Sequence, residues 1–96
     1  MGTKKEYTNI PIQLENICST QGEISPRWFR FEDDDHMIHT VKIQKIISRK
    51  DINFVGIRMI QFICKTIEED SKDREHLVEL RYNILLHRWY FYQMLS

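Results

Sequence analysis

The stretch PRWFRFEDDDHMIHTVKI, residues 26–43, decides how the rest of the chain is read. Phe29 and Phe31 fall on one side of an extended segment, and Trp28, Arg30 and Glu32 on the other. That period of two marks a half-buried strand. Asp33, Asp34, Asp35 and His36 follow. Asp bonds nearby backbone N–H groups through its carboxylate and tolerates left-handed conformations, so this run makes a turn. Val41 and Ile43 then share one face of a second strand. Two alternating segments joined by four polar residues read as a β-hairpin. Ile46 and Ile47 break the phase, which predicts a bulge or the strand's end there.

The same turn sets four carboxylates, Glu32 to Asp35, beside His36 and His39. Consecutive carboxylates on an extended segment point alternately to two sides and do not converge on one ion. The spacing of a Ca²⁺ loop, with its Gly and distal Glu, is absent. His36 and His39 would face opposite sides of a strand, and no His-Glu-x-x-His pattern occurs. The turn therefore reads as a hairpin tip, with no metal site expected.

Outward from this hairpin, Ile10, Ile12 and Leu14 alternate before Gly22 and Pro26 punctuate the chain. Residues 1–24 read as an N-terminal arm with at most one edge strand, and residues 25–96 as a small β-barrel-like domain. On the other side, SRKDINFVG (48–56) reads as a loop, with one helical turn after Ser48, closed by Gly56. IRMIQFICKTI (57–67) carries Ile60, Phe62 and Cys64 on one face and Ile57, Met59, Ile63 and Ile67 on the other, which makes it the candidate central strand. EEDSKDRE (68–75) is a second charged turn, after which Val78, Leu80 and Tyr82 alternate with Glu79 and Arg81. In NILLHRWYFYQML (83–95) a strand would place Trp89, Phe91 and Leu95 opposite Tyr90, Tyr92 and Met94. A helix from about Leu77 would be apolar nearly all round, whereas consecutive aromatics favour β structure.

These elements predict a mainly β fold: a small, strongly bent antiparallel sheet or SH3-like barrel of five or six strands, with Phe29, Phe31, Phe62, Trp89 and Phe91 in the core. Closure would hide the edges of so many apolar strands. The alternative is an α+β fold with a C-terminal helix.

Ninety-six residues suffice for one modest core. With 42% hydrophobic and 29% charged residues, the composition is that of a globular chain and not a disordered one. Cys18 and Cys64 are too few and too far apart for a disulfide framework and form no Cys-x-x-Cys pair, which points to a reducing cytoplasm. MGTKKEYTN lacks the apolar run of a signal peptide, and no stretch reaches bilayer length. A cytoplasmic protein without membrane attachment is expected. Glu6 departs from the myristoylation pattern that Met1-Gly2 would begin.

No serine lies in a Gly-x-Ser-x-Gly elbow, and Cys64, within an apolar strand, reads as a small buried hydrophobe. Gly2, Gly22 and Gly56 are too few to build a phosphate-cradling loop. No catalytic residue, cofactor or enzymatic activity is expected.

Fourteen bases balance fourteen acids, but unevenly along the chain. Between His36 and Ile67 the bases Lys42, Lys45, Arg49, Lys50, Arg58 and Lys65 face only Asp51. A local positive field attracts polyanions without a high isoelectric point. Cations along a backbone and rings for stacking are how small β-barrels hold single-stranded nucleic acid. The candidate contacts are Lys42, Lys45, Arg49, Lys50, Arg58 and Trp28, with Arg27, Arg30, Trp89, Tyr90 and Tyr92 supplying further residues of the same types. Lys42 and Arg49 differ in strand parity from Lys45, and a bulge near Ile46 would bring some of them together. The composition thus favours a non-enzymatic binding module with a protein partner and possible nucleic-acid contact. The alternative is a protein–protein adaptor or homodimerisation domain that binds no nucleic acid and uses these residues as a solvated face.

At PRWFRFEDDDHMIHTVKI (26–43), GIRMIQFICKT (56–66) and ELRYNILLHRWYFYQM (79–94) the chain resembles a group of small bacterial β-domain proteins. They share an aromatic-rich first strand, an acidic turn, a Val-x-Ile strand and a Glu-Leu-x-Tyr strand followed by Trp-Tyr. The resemblance spans about residues 26–94. Members are often encoded beside lesion-bypass DNA polymerases of the UmuC/DinB type, so the resemblance implies an accessory role in SOS-linked mutagenesis. This chain departs from the group in having His at a hairpin position where Gly is usual, and in its long Gly-poor turn around Asp70.

Overall fold

The computed structural model describes residues 9–68 and 71–96. Six strands, β1 (Ile10–Cys18), β2 (Ile24–Glu32), β3 (Ile38–Phe54), β4 (Ile57–Glu68), β5 (Ser71–Asn83) and β6 (Arg88–Met94), follow one another in the chain. They form a closed antiparallel barrel in that same order, with β6 returning to β1. Neighbours in sequence are neighbours in space, the usual outcome for short connections. The small mainly β barrel read from the alternation is therefore present. The helical alternative is not: residues 84–87 form a turn and residues 88–94 a strand.

The inner face collects Phe29, Phe31, Ile60, Phe62, Cys64, Val78, Leu80, Trp89 and Phe91, with Ile12, Leu14, Val41, Ile43 and Tyr82 packed around them. All five aromatics assigned to the core from their parity are in it. Phe91 meets Phe29 edge-on at 5.3 Å and Phe31 at 5.5 Å, while Trp89 packs on Phe62 at 5.4 Å and Tyr82 at 4.8 Å. A barrel of six strands is narrow, and these rings fill it. Cys64 lies among them, and burial pushes its thiol up to about 12. The thiolate is the reactive form, so native protein should consume one equivalent of a thiol reagent, at exposed Cys18, and a second only after unfolding. Two equivalents consumed rapidly without denaturant would show that the Cys64 site opens.

Every described hairpin turn starts on a Ser, Asp or Asn that caps it. The Ser19 hydroxyl accepts from the amides of Gln21 and Glu23, and the Asp33 carboxylate from those of Asp35 and Met37. The Asn53 and Asn83 side-chain oxygens accept from the amides of Gly56 and Leu86. The β1–β2 and β2–β3 turns share one design: a three-residue loop whose last member is left-handed, Gly22 (φ 84°) in one and His36 (φ 63°) in the other. The loop at the quoted stretch is thus Asp34–His36, with Asp33 in the closing pair. A non-glycine residue in this region costs about 1–2 kcal/mol, part of which glycine returns through its freer unfolded chain. His36→Gly should therefore raise stability by about 0.5 kcal/mol, readable in urea unfolding. A loss of stability would mean that the ring itself holds the turn.

Two segments differ from the sequence reading. Ile10–Cys18, read as an arm or edge strand, pairs with β2 on one side and β6 on the other and so closes the barrel. SRKDINFVG is not a loop with a helical turn. β3 continues for 17 residues to Phe54, and only Val55-Gly56 turn. The second charged turn centres on residues outside the described set; β5 already begins at Ser71. β2 pairs with β3 only between Ile38 and Lys42, so from Ile43 onward β3 is laddered to β4 alone among the described residues.

Candidate nucleic-acid interface

β3 carries two bulges, one between Ile43 and Lys45 and one between Ile46 and Ser48. The broken phase at Ile46-Ile47 predicts the second. The first, at Gln44, changes the parity of the basic residues. Lys42 is paired with Ile67 and Lys45 with Lys65, two positions apart on β4, so both lysines stand on the outer face. Trp28 is directly opposite Lys42 across β2–β3, and the Arg30 guanidinium lies over its ring at 5.2 Å. Trp28, half-buried, thus has Lys42 opposite it on β3, Arg30 over its ring and Glu15 opposite it on β1.

The other candidates divide. Lys50 pairs with Gln61 and continues the outer face further along the ribbon. Arg49 pairs with Phe62, a core residue, and its guanidinium sits 5.9 Å from that ring, so it caps the end of the core and leaves the lysine row. Arg58 lies near the β3–β4 tip, at a cleft described below. Trp89 is in the core, and Tyr92 is covered by the Arg81 guanidinium at 3.5 Å. The structure therefore assembles Trp28, Arg30, Lys42, Lys45, Lys50 and Lys65, and separates Arg49, Arg58 and the β6 aromatics from them. The sequence places Lys65 in the basic run and Arg30 among residues of the same type, but not which of them share a face with the lysines, because cross-strand register is invisible in one sequence.

Lys45 and Lys65 are opposed directly, an arrangement that repels. Glu75 answers one of them, its carboxylate 2.9 Å from the Lys65 ammonium. An anion over the face would answer the other.

At the acidic turn, the His36 ring nitrogen Nδ1 is 2.8 Å from Glu32 and the His39 Nε2 is 2.7 Å from Asp33. Each histidine has its own carboxylate, and His39 also stacks on Phe31 at 5.0 Å. No group of three His, Cys, Asp or Glu side chains suited to a metal ion occurs among the described residues. No helix among them is long and apolar enough to cross a membrane.

One feature of the outer wall escaped the sequence. Glu79 is buried beneath its neighbours: Oε2 accepts from Gln61 Nε2 at 2.9 Å and Arg81 Nε at 2.7 Å, and Oε1 from Gln93 Nε2 at 2.8 Å. Burial works against its charged form, but the two amides and the Arg81 guanidinium outweigh it and hold the carboxyl below its ordinary value. Both oxygens are committed to fastening β4, β5 and β6 together, which removes Glu79 from consideration as an exposed acid or base.

No family model matches the chain, nor does any curated protein or solved structure.

Proposed function

We propose that the protein is a non-enzymatic binding module whose β2–β3–β4 face holds single-stranded nucleic acid. The observation that carries this reading is the bulge at Gln44, which puts Lys45 on the same face as Lys42, itself directly opposite Trp28. Ammonium groups along one face follow a phosphate backbone while a ring accepts a base of any sequence. The resemblance to proteins encoded beside lesion-bypass polymerases agrees with this reading, since an accessory of such an enzyme works on exposed template.

A fluorescent single-stranded oligonucleotide tests the reading by anisotropy. With about three lysines on phosphates and a slope near −0.7 per phosphate, affinity should fall roughly twenty-fold between about 50 and 200 mM salt. Lys42→Glu/Lys45→Glu should abolish binding with the circular dichroism unchanged, and Trp28→Ala should cost about 1–3 kcal/mol of binding. Arg49→Glu, on the other face, should leave affinity nearly intact. Absence of binding at low salt, or equal binding by the double reversal, would sink the proposal.

A second reading, an adaptor that contacts protein only, has its own supporting observation. Beyond Lys42 the edge of β3 lacks a second ladder among the described residues, and lysines and bulges are common guards of such edges. On that reading the same residues prevent unwanted pairing, and the oligonucleotide stays free.

A further inference from the structure

At the end of the barrel remote from the acidic turn, two hairpin tips stand side by side. The β3–β4 tip presents Phe54, Val55 and Ile57, and the β5–β6 turn presents Leu85 and Leu86, all exposed. Val55 and Leu85, 86% and 84% exposed, are the most exposed large apolar residues of the described chain. Between the tips lies a cleft of about 420 Å³ walled by Ile57, Arg58, Ile84, Leu85 and Leu86, enough for two or three large apolar side chains.

Two further observations bear on the occupant. Val55 has φ 51°, in the left-handed region where a β-branched residue is an outlier and Asn or Gly would be relaxed. An apolar side chain is kept at this tip against the preference of its backbone, and such strain points to a use. The charged residue that lines the cleft is also a base. Arg58 lines it and Arg88 follows its turn, while no Asp or Glu occurs from Ile52 to Ile67 or after Glu79.

We infer that this end docks an acidic segment of a partner protein, which inserts apolar side chains into the cleft and sets carboxylates against Arg58 and Arg88. A second copy docked symmetrically would bring two arginine-bearing clefts together. A bilayer offers no knob to fill a concavity of this size, whereas a peptide offers both the knob and the charge. Apolar anchors in a central pocket with charged pairs at the rim are how compact interfaces concentrate their energy. The site is separate from the lysine row, so each can fail without the other.

Selection of a random peptide library on the intact protein tests the inference, followed by anisotropy with the enriched peptides. Sequences pairing large apolar residues with two or more carboxylates should be enriched, and Arg58→Glu/Arg88→Glu should weaken them by at least about ten-fold. Val55→Asn/Leu85→Asn should weaken them similarly, and Val55→Asn alone should raise the thermal midpoint, which separates lost docking from lost folding. Lys42→Glu/Lys45→Glu should leave peptide binding unchanged. Enrichment without acidic residues, no enrichment, or undiminished binding by the Asn variant would overturn the inference. So would phosphatidylserine-dependent vesicle binding, or a concentration-dependent dimer in sedimentation, that the same tip variants abolish; these would assign the surface to a lipid or to a second copy.

Discussion

Phe62→Ala will lower the stability of the barrel by about 3–5 kcal/mol, the cost of emptying a buried aromatic site. Phe62 is wholly inaccessible, pairs with Leu80 on one side and Arg49 on the other, and packs against the tilted Trp89 indole. A narrow barrel cannot collapse around the vacancy without moving strands, so relaxation will recover little. Domains of this size are stable by only about 5–15 kcal/mol, so the variant will sit near its unfolding threshold. Urea unfolding followed by tryptophan fluorescence should show a much lower midpoint with an unchanged slope. A midpoint equal to that of the wild type would remove Phe62 from the core.

Breaking the Glu79 cluster will have the next largest effect. Glu79→Gln puts an amide donor among the donors of Gln61, Gln93 and Arg81, and Arg81→Met leaves a carboxylate buried without its cation. Removing one partner of a buried pair costs about 3–5 kcal/mol, and a site one side-chain layer below solvent belongs near the lower figure. The pH dependence follows from the direction of the shift. The folded-state pKa of Glu79 is below its unfolded value, so the cluster stabilises the fold above the unfolded pKa, and that stability is lost as pH falls through the folded-state value. Wild type should therefore lose more stability than Glu79→Gln as the solution is acidified below about pH 4.5, the ordinary carboxyl value. Parallel acid profiles for the two proteins would contradict the assignment.

The fold was legible wherever one face of a strand is buried and the other wet. Phe29 and Phe31, Ile60 to Cys64, and Val78 to Tyr82 announce themselves by alternation, and Ser19, Asp33, Asn53 and Asn83 sit where turns begin. The segment from Ser48 to Phe54 was misread for the complementary reason. It extends past the end of β2, most of its side chains are exposed on both faces, and selection for alternation is absent there. The site was half legible. The basic run stands out in the sequence, but which lysines share a face depends on a bulge at Gln44, and no residue type marks it. Glu79 was invisible because its partners come from three strands, and their convergence is a property of register.

The seam of the barrel is its shortest ladder: Ile10, Pro11 and Ile12 against Phe91, Tyr90 and Trp89. These residues lie at opposite ends of the described chain, so the loop they close is nearly the whole protein. Pro11 has no amide to donate. Closure of such a distant pair comes late in folding, and the same place should open first. Amide hydrogens of Ile10 and Ile12 should therefore exchange with deuterated solvent well before those of Phe62 and Cys64. An opened seam exposes two unsatisfied edges, β1 and β6, each already shaped to fit the other. At high concentration they will find the complementary edge on a neighbouring molecule, giving a strand-exchanged dimer whose slow return to monomer on dilution reports the lifetime of the closed seam.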